Sequence, residues 1–569
     1  MLTPQKDNEK PARIDFTWGV KIPMRDGVCL NATVYQPRDG KPVPVIFTLT
    51  PYVADAAHMR GIFFAEHGYV FVAVDSRGRG NSDGIFEPFT NEANDGYDII
   101  DWLAGQPWCD GQVAMWGGSY GGYVQWMALR EAPLHLITIV PTASAAAGVD
   151  FPFFKNIFSP FEIQWQTYIS GVTRNDSIMN DSKFWIQKFQ EMYQGHLPYK
   201  ELDRIVGNTS TYFQTWVAHP RPDEYWDNLS FPVEQYDRIN IPILTITGHY
   251  DGDQPGAMEY YRKHMASNSP SKVDHYLIMG PWDHAGTRDP KTEIGGLKFS
   301  EAAILDMNKL HQEWYDWRMK GKKKPAFLKK RVAYYVMGEE KWKYADNLEA
   351  IGSVQKRMYL GSNQGANDVF HSGTLVDHEP TGSPYDVYTY DPLDKRFGAL
   401  ERKENVDYLT DQSYELNLFG NGLVYHSEPF SKNTEITGWI KLFTWISLDV
   451  LDTDFTATLV EVLPNGTVIK LTQDYLRARY RESNRVEKLV EPGAINLYSF
   501  DGFTFFSRRI AKGSRLRLII SCPNTIYMEK NYNGGGVVAE ESGKDARTAQ
   551  VTLHHNKEYP SYVELPVVK

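Results

Sequence analysis

The sequence predicts an α/β domain, interrupted by an inserted helical cap and followed by an all-β domain. Three observations support this fold class. Short apolar runs alternate with helical stretches from about residue 13 to 141, and this texture resumes after residue 238. The segment in between loses the strand signal and is crowded with aromatic residues and amides. Towards the C-terminus, apolar residues recur at every second position, which is the period of half-buried strands.

A chain of 569 residues is too long for a single hydrophobic core. We therefore assign residues 1–142 and 239–322 to the α/β domain, 143–238 to the cap and 323–569 to the all-β domain.

The α/β domain is predicted from runs such as VPVIFTLT (Val43–Thr50), YVFVAVD (Tyr69–Asp75) and VAMWG (Val113–Gly117). The last two are apolar almost throughout, as expected of strands that are covered on both faces. Strands that alternate with helices favour a parallel sheet. Two further strands, ILTITGHYDGD and YLIMGPWDHAG, follow the cap.

The cap segment contains FPFFKNIFSPFEIQWQTY, FWIQKFQEMY and TYFQTWVAHP, which we interpret as short helices. A helical insertion in such a domain is expected to cover the C-terminal edge of the sheet, where α/β sheets bind ligands.

The C-terminal domain is predicted from alternation, as in WIKLFTWISLDV, where Ile440, Leu442, Ile446 and Leu448 share one face. Many short strands with turn signals are typical of a β-sandwich or jelly roll. The basic stretch between residues 318 and 331 is interpreted as a solvated linker or helix end.

Composition argues against several classes of protein. The net charge of −11 and the absence of a basic patch argue against nucleic acid as a partner. The three cysteines (Cys29, Cys109 and Cys522) are too far apart for a disulfide framework or a zinc knuckle, and they fit a reducing compartment. The first 16 residues contain no apolar signal region, and no apolar run is long enough to span a membrane. We expect a cytoplasmic protein, with a homo-oligomer left open.

One motif carries the chemistry. Residues 117–121 (GGSYG) fit the pattern G-x-S-x-G between a predicted strand and a predicted helix. In that context the motif indicates a nucleophile elbow, a strained turn on which the Ser119 hydroxyl projects from the sheet edge. The flanking glycines are expected to remove side chains that would collide with neighbouring backbone.

A serine nucleophile needs a base and an acid that orients the base. Asp251 and His284 follow the two strands after the cap, so the order along the chain is Ser, Asp, His. Asp253 and Asp283 are rival candidates for the acid. Asp253 lies further into its loop and Asp283 is adjacent to the base, so we favour Asp251.

An oxyanion hole is the remaining requirement. One donor is expected to be the backbone N–H of Tyr120, the residue after the nucleophile. The loop after the third strand, LTPYVAD, lacks the glycines that usually supply the second donor, but it contains Tyr52. The phenol of Tyr52 can donate directly to the oxyanion; taken alone, it is equally a tyrosine that packs under the cap.

These motifs together carry a family resemblance. TPYVAD, VDSRGRGNSDGIF, GGSYGG, GHYDG and GPWDHAG, with LVYHSEPFSKNTEITG and LRARYRES in the C-terminal half, resemble the cocaine esterase (CocE/NonD) family of hydrolases. That family is grouped with X-Pro dipeptidyl-peptidases and α-amino acid ester hydrolases. The resemblance implies an α/β-hydrolase domain, an inserted helical cap and a C-terminal jelly roll. It also implies Ser119 as nucleophile, Asp251 and His284 as its partners, and an oxyanion hole formed by Tyr52 and Tyr120.

The expected reaction is hydrolysis of an acyl ester, or of a related amide, through an acyl-enzyme, with no metal or organic cofactor. We expect the substrate to be a small ester, amide or short peptide, and a carboxylesterase is the preferred interpretation. The alternatives are an X-Pro dipeptidyl-peptidase or an α-amino acid ester acylase, for which Asp253 would supply part of an ammonium-binding cluster. Asp253 is equally a charge on the loop surface. A different class is a non-catalytic module that binds carbohydrate or protein.

The motif DSRGRG contains Asp75, Arg77 and Arg79. We interpret these three residues as a structural salt-bridge and turn element behind the site, with no catalytic role.

Overall fold

The centre of the protein is a twisted sheet whose middle strands are parallel. The computed structural model describes residues 14–38, 40–379, 381–413 and 415–569. The predicted absence of a signal peptide concerns residues that lie almost entirely outside this range. Within the described residues, the sheet has ten strands: β1 (Ile14–Pro23), β2 (Cys29–Pro37), β3 (Val43–Thr50), β4 (Val70–Asp75), β5 (Cys109–Ser119), β6 (Leu136–Ser144), β7 (Ile243–Tyr250), β8 (His275–Asp283), β9 (Val332–Val336) and β10 (Lys341–Ala345).

The spatial order of the strands is β1-β2-β4-β3-β5-β6-β7-β8-β9-β10. All pairs from β4 to β9 are parallel, and the outer pairs are antiparallel. The ends of β3, β5, β7 and β8 therefore meet at one edge of the sheet, which is the edge where α/β proteins build their sites. Every residue of β4 is buried, as its continuous apolar character predicts.

Helices cover both faces of this sheet. They are α1 (His58–Glu66), α2 (Glu92–Ala104), α3 (Tyr120–Arg130), α10 (Gln254–Ala266) and α11 (Met307–Lys320), numbered in chain order with the helices α4 to α9 between β6 and β7. Those six are α4 (Phe161–Tyr168), α5 (Asp176–Met179), α6 (Ser182–Gly195), α7 (Leu202–Val206), α8 (Thr211–Val217) and α9 (Glu224–Asn228). Within the described residues, no helix is both long enough and apolar enough to cross a bilayer.

The C-terminal part forms an antiparallel-rich β-domain, so the predicted fold class is confirmed. Its strands are β11 (Ser353–Gly361), β12 (Gly373–Val376), β13 (Tyr385–Tyr390), β14 (Gly422–Ser427), β15 (Thr434–Gly438), β16 (Lys441–Leu448), β17 (Asp454–Val462), β18 (Val468–Arg477), β19 (Ile495–Phe500), β20 (Phe506–Ile510), β21 (Arg515–Ser521), β22 (Ala549–His554) and β23 (Tyr562–Val568). In β16, Leu442, Ile446 and Leu448 share the buried face, as the alternation predicts.

Two strands beyond residue 323, the predicted start of the β-domain, pair with the central sheet. β9 pairs in parallel with β8, and β10 pairs with β9, so both strands extend that sheet. The basic stretch between residues 318 and 331 contains the end of α11 and the connection to β9, in agreement with its interpretation as a linker or helix end. Each residue of β9 is buried, which is the signature of a central-sheet strand rather than of an alternating one.

Candidate active site

Ser119 ends β5 and precedes α3 in a strained turn. Its φ and ψ are 61° and −124°, a conformation that residues with a Cβ atom rarely adopt and that clusters at functional sites. A Cβ on Gly117 would lie 3.1 Å from the Gly121 carbonyl oxygen, and one on Gly122 would lie 2.8 Å from the Ser144 Cα. At Gly121 a Cβ would meet open space. The steric expectation therefore holds for Gly117 and Gly122, but Gly121 is not required on this ground.

His284 follows β8 and Asp251 follows β7, so both residues leave the sheet at the edge where Ser119 lies. The His284 Nδ1 atom is 2.8 Å from Asp251 Oδ1 and 3.7 Å from Asp253 Oδ2. Asp283, the other rival acid, accepts a hydrogen bond of 2.8 Å from the Gly286 backbone N–H and so belongs to a turn. The Asp251 side chain is 0% exposed, whereas 38% of the His284 side chain is exposed. The buried carboxylate thus orients an imidazole that remains accessible.

The charges around His284 favour its protonated form. Burial lowers the pKa of His284, but the carboxylates of Asp253 and Asp251 outweigh it, and the pKa is raised from its usual value. Burial raises the pKa of Asp253 to about 6, in opposition to the charges of His284 and Arg288. An imidazole whose pKa is raised is a stronger base in its neutral form, as proton abstraction from a hydroxyl requires.

Tyr52 lies just after β3, and its hydroxyl is bound by the cap. The indole Nε1 of Trp165, in the cap, donates to the Tyr52 hydroxyl oxygen at 3.0 Å, and the Ser119 side chain is near enough to lower the pKa of the Tyr52 phenol. Burial raises the pKa of Tyr52 to about 12, so the phenol is a neutral O–H donor at physiological pH. The structure therefore places Tyr52 at the nucleophile and not only under the cap.

Tyr120 is the first residue of α3, where a helix offers no acceptor for the backbone N–H. Its side chain is anchored elsewhere: the hydroxyl donates to Glu92 and accepts from the Phe89 backbone N–H at 2.7 Å. Burial raises the pKa of Glu92 to about 7. The ring is thus fixed away from the turn, and the backbone N–H of Tyr120 is the group available beside Ser119.

The loop that carries Tyr52 is strained and tightly held. Val53 has φ 67° and ψ 130°, which is unusual for a β-branched residue. Asp75 accepts a hydrogen bond of 2.6 Å from the Ala54 backbone N–H, and Arg79 Nε donates to the Pro51 carbonyl at 2.8 Å. These two residues bind the backbone on both sides of Tyr52.

The interpretation of DSRGRG is therefore corrected in part. Arg77 forms the predicted ion pairs, with Asp95 and, at 2.8 Å, with Asp26. Asp75 and Arg79 instead hold the Tyr52 loop, and Arg79 Nη1 also donates to two carbonyls of the cap, Ile169 at 2.5 Å and Gly171.

Sequence reasoning missed three residues near the site. Trp165 is one of many aromatic residues in the cap, and nothing in the sequence distinguishes it. Arg288 lies one turn after His284, donates to its carbonyl at 3.1 Å and leaves no room for a side chain at Gly118. Asp150, in the segment that follows β6, accepts from the Ala146 and Gly256 backbone N–H groups at 2.8 and 2.6 Å, and the charge of Asp253 contributes to the raised pKa of Asp150. The position of Asp150 and Arg288 beside strand ends is a signal that could have identified them.

A cavity of about 820 Å³ extends from Asp150 between the cap and the β-domain. Its walls include the aromatic rings of Phe397, Tyr408 and Tyr475. Burial and the nearby Asp283 raise the pKa of Tyr408 to about 12, so this β-domain residue lies close to the turn of His284. Asp150 lines this cavity, whereas Ser119, Tyr52 and His284 do not.

Two family models match the chain. Residues 26–286 match the X-Pro dipeptidyl-peptidase (S15 family) model. Residues 327–564 match the C-terminal non-catalytic domain of X-Pro dipeptidyl-peptidases. Together the two models span both parts of the fold described above.

Several known proteins are similar over the full length. A cocaine esterase from Rhodococcus sp. (strain MB1 Bresler) is 28% identical over 97% of this chain and 98% of its own. The crystal structure of an aminopeptidase from a marine sediment Thaumarchaeota archaeon covers 100% of this chain and 98% of its own, with a TM-score of 0.83 at 22% identity. An α-amino acid ester hydrolase structure covers 99% and 98%, with a TM-score of 0.84 at 21% identity. These two structures show the shared fold.

Proposed function

We propose, on the premise that this chain belongs to the cocaine esterase-like (CocE/NonD) serine hydrolases of the S15 type, that it hydrolyses carboxylic esters through an acyl-enzyme on Ser119. The family makes the chain an enzyme, so the alternative of a non-catalytic binding module is set aside. The observation that carries the proposal is the strained Ser119 turn, which lies at the same sheet edge as the hydrogen-bonded pair His284–Asp251.

In the proposed mechanism, Ser119 Oγ attacks the substrate carbonyl while His284 takes its proton. Asp251 keeps the Nδ1–H of the imidazole oriented and stabilises the cation that forms. The Tyr52 hydroxyl and the Tyr120 N–H donate to the oxygen that becomes negative. His284 then gives its proton to the leaving alcohol, and water cleaves the acyl-enzyme by the same route in reverse.

We favour an ester over a peptide as substrate. A cocaine esterase that matches 97% of the chain is named for ester hydrolysis. The cap also places aromatic rings at the site, since the Tyr168 ring stacks on Tyr52 with centroids 5.5 Å apart. Such rings suit an apolar acyl or alcohol group.

A second candidate is an acylase or peptidase that binds a substrate ammonium group, and the pair Asp150 and Asp253 favours it. Burial and mutual repulsion raise the pKa of Asp150 well above its usual value, and an adjacent cation would relieve both carboxylates. Gln254 does not extend this pair, because its amide binds the backbone of Phe505 in the β-domain at 2.7 and 3.0 Å. Dipeptidyl aminopeptidase BIII of Pseudoxanthomonas mexicana, 33% identical over 30% of this chain, is a relative of this kind.

The test of serine chemistry is labelling with a fluorophosphonate, which should modify wild type and spare Ser119→Ala. Replacement of Ser119 or His284 by Ala should lower kcat by about 10⁶. A folded wild type that resists labelling would contradict the proposal.

The test of substrate class compares p-nitrophenyl acyl esters with Gly-Pro-p-nitroanilide. We expect ester turnover to dominate. Faster cleavage of the anilide, together with a KM that rises in Asp253→Asn, would instead support the amine-binding candidate.

A further inference from the structure

The Tyr52 hydroxyl receives a hydrogen bond whose direction is fixed by chemistry. The indole N–H of Trp165 lies 3.0 Å from the Tyr52 oxygen. An indole nitrogen can only donate, so the phenol oxygen must be the acceptor in this bond. The single phenol proton therefore remains free for another acceptor, and the Ser119 side chain is near enough to lower the pKa of this phenol.

Trp165 is itself held rigidly. It is 6% exposed, and its ring stacks with those of Tyr120 and Trp216, with centroids 5.6 and 6.3 Å apart. Tyr120, which follows the nucleophile, Trp165 of α4 and Trp216 of α8 thus form one aromatic stack. An indole in this layer has little freedom to turn its N–H away from the phenol.

The same helix is tied to the Tyr52 loop at its C-terminal end. Arg79 donates to the carbonyls of Pro51 at 2.8 Å and Ile169 at 2.5 Å, and so joins the residue before Tyr52 to the residue after α4. The Gly80 backbone N–H donates to the Val172 carbonyl at 2.6 Å. Arg79 and Gly80 therefore join the cap to the Tyr52 loop at the C-terminal end of α4.

We propose that Trp165 is a positioning residue for oxyanion stabilisation: its indole N–H holds the Tyr52 oxygen so that the phenol proton points to the oxyanion beside Ser119. This inference rests on the proposed function. It makes the cap a part of the catalytic apparatus and not only a wall of the binding site.

The physical reason is preorganisation. A donor that is already aimed at the site of developing charge needs no reorientation during the reaction, which is why such donors are worth so much in an enzyme. Without Trp165, the O–H bond of Tyr52 would not be held in one orientation. The indole N–H also acts against the effect of burial on the pKa of Tyr52, and so keeps the phenol a better donor.

The test is a double-mutant cycle of Trp165→Phe and Tyr52→Phe, with p-nitrophenyl acetate because its acyl group is too small to depend on the pocket shape. Phenylalanine keeps the aromatic stacking and removes the N–H. We expect Tyr52→Phe to lower kcat by about 10²–10³. Trp165→Phe should lower kcat by about tenfold, the worth of one hydrogen bond, with KM nearly unchanged. In the Tyr52→Phe background, Trp165→Phe should have no further effect.

A matched control exists in the same cap. Trp216 also donates its indole N–H to a tyrosine hydroxyl, that of Tyr225, at 3.2 Å, and it stacks on Trp165. Trp216→Phe should lower kcat equally in both backgrounds, or not at all, because its partner does not touch Ser119. Trp165→His, which keeps a ring N–H, should restore part of the lost kcat and is the substitute for the cycle if Trp165→Phe does not fold.

The outcomes separate this inference from the proposed function. An unchanged kcat in Trp165→Phe, or an equal loss in both backgrounds, would overturn the positioning role while Ser119→Ala still abolishes activity. If Tyr52→Phe has full activity, the positioning role is overturned together with that of Tyr52, but the serine chemistry is not. Full activity in Ser119→Ala, or a folded wild type that resists fluorophosphonate labelling, would contradict the proposed function itself.

Discussion

His284 and Tyr52 serve the same serine in the proposed mechanism, but they are held in different ways. The partners of His284 come from the ends of adjacent strands and from its own turn: Asp251 after β7, and Thr287 and Arg288, which donate to its carbonyl at 2.8 and 3.1 Å. Tyr52 lies in a loop whose contacts come from β4, from the turn after β4 and from the cap. The imidazole is thus positioned by the sheet, and the phenol by contacts across domains.

This difference teaches which parts of the site depend on the cap. The backbone hydrogen bonds between the parallel strands β7 and β8 fix the ends of both strands, and these bonds do not involve the cap. The Tyr52 loop is strained at Val53, and strain of this kind persists only where surrounding contacts enforce it. Disturbing the cap should therefore weaken oxyanion stabilisation before it weakens proton transfer.

The largest expected effect concerns His284, whose position depends on the sheet. Asp251→Asn should lower kcat by about 10⁴, because the amide no longer orients and stabilises the imidazolium. Steady-state kinetics with p-nitrophenyl acetate measure this loss. Asp283→Asn is the control: that carboxylate binds the Gly286 N–H and not the imidazole, so most of the activity should remain. A loss in Asp283→Asn as large as in Asp251→Asn would reverse the choice of acid.

The next effect concerns the loop that carries Tyr52. Asp75 accepts from the Ala54 N–H with one carboxylate oxygen and from the Asn31 amide and the Asn81 N–H with the other. Asp75→Asn replaces one of these oxygens by an NH2 donor, which weakens the hold on the Tyr52 loop, and it should lower kcat by about tenfold, and by no more than Tyr52→Phe does. In the Tyr52→Phe background the same substitution should leave kcat unchanged, since only the phenol depends on this loop.

Asp95→Asn is a close control for that experiment. Asp75 and Asp95 are each 2% exposed, and Asp95 pairs with Arg77 of the same motif without touching the Tyr52 loop. Both variants should lose thermal stability, because each removes a partner of buried polar groups. A loss of kcat in Asp95→Asn equal to that in Asp75→Asn would show that stability, and not the position of Tyr52, is responsible.

The sequence alone predicts the sheet-held side well. A serine between glycines after an apolar run, and acidic and imidazole residues after two later runs, are local patterns, and strand order brings them to one edge. The sequence favours Asp251 over Asp253 as the acid, but the two lie two residues apart in one loop, and side-chain geometry is what separates them: His284 Nδ1 is 2.8 Å from Asp251 and 3.7 Å from Asp253.

The contacts that hold the Tyr52 loop are not predictable in the same way. Arg79 shares a motif with Asp75, and opposite charges so close in sequence indicated an ion pair. The structure uses both for backbone groups instead, because a loop strained at Val53 leaves an N–H and a carbonyl that need partners. Trp165 is more than 100 residues from Tyr52, and no periodicity connects them. The pairing of β9 and β10 with the central sheet is also hidden in the sequence, since both strands follow a linker-like stretch.

The smallest expected effect is a shift in the pH profile, which distinguishes the role of His284 from that of Tyr52. Protonated His284 cannot accept the Ser119 proton, so kcat/KM should fall as the pH drops through the raised pKa of His284. Burial lowers this pKa and the charge of Asp253 raises it, so Asp253→Asn should lower the pKa and move the acid limb to lower pH, by less than about one unit. Tyr52→Phe should instead lower the plateau of kcat/KM and leave the acid limb at the same pH, because the partners of Tyr52 do not touch the imidazole of His284. The profiles are measured between about pH 5 and pH 9 with p-nitrophenyl acetate, with the exposed Asp237→Asn as a control that should move neither feature. An acid limb that moves to higher pH in Asp253→Asn would contradict the assigned effect of Asp253 on His284. An acid limb that moves in Tyr52→Phe would mean that Tyr52 and His284 do not act independently on Ser119.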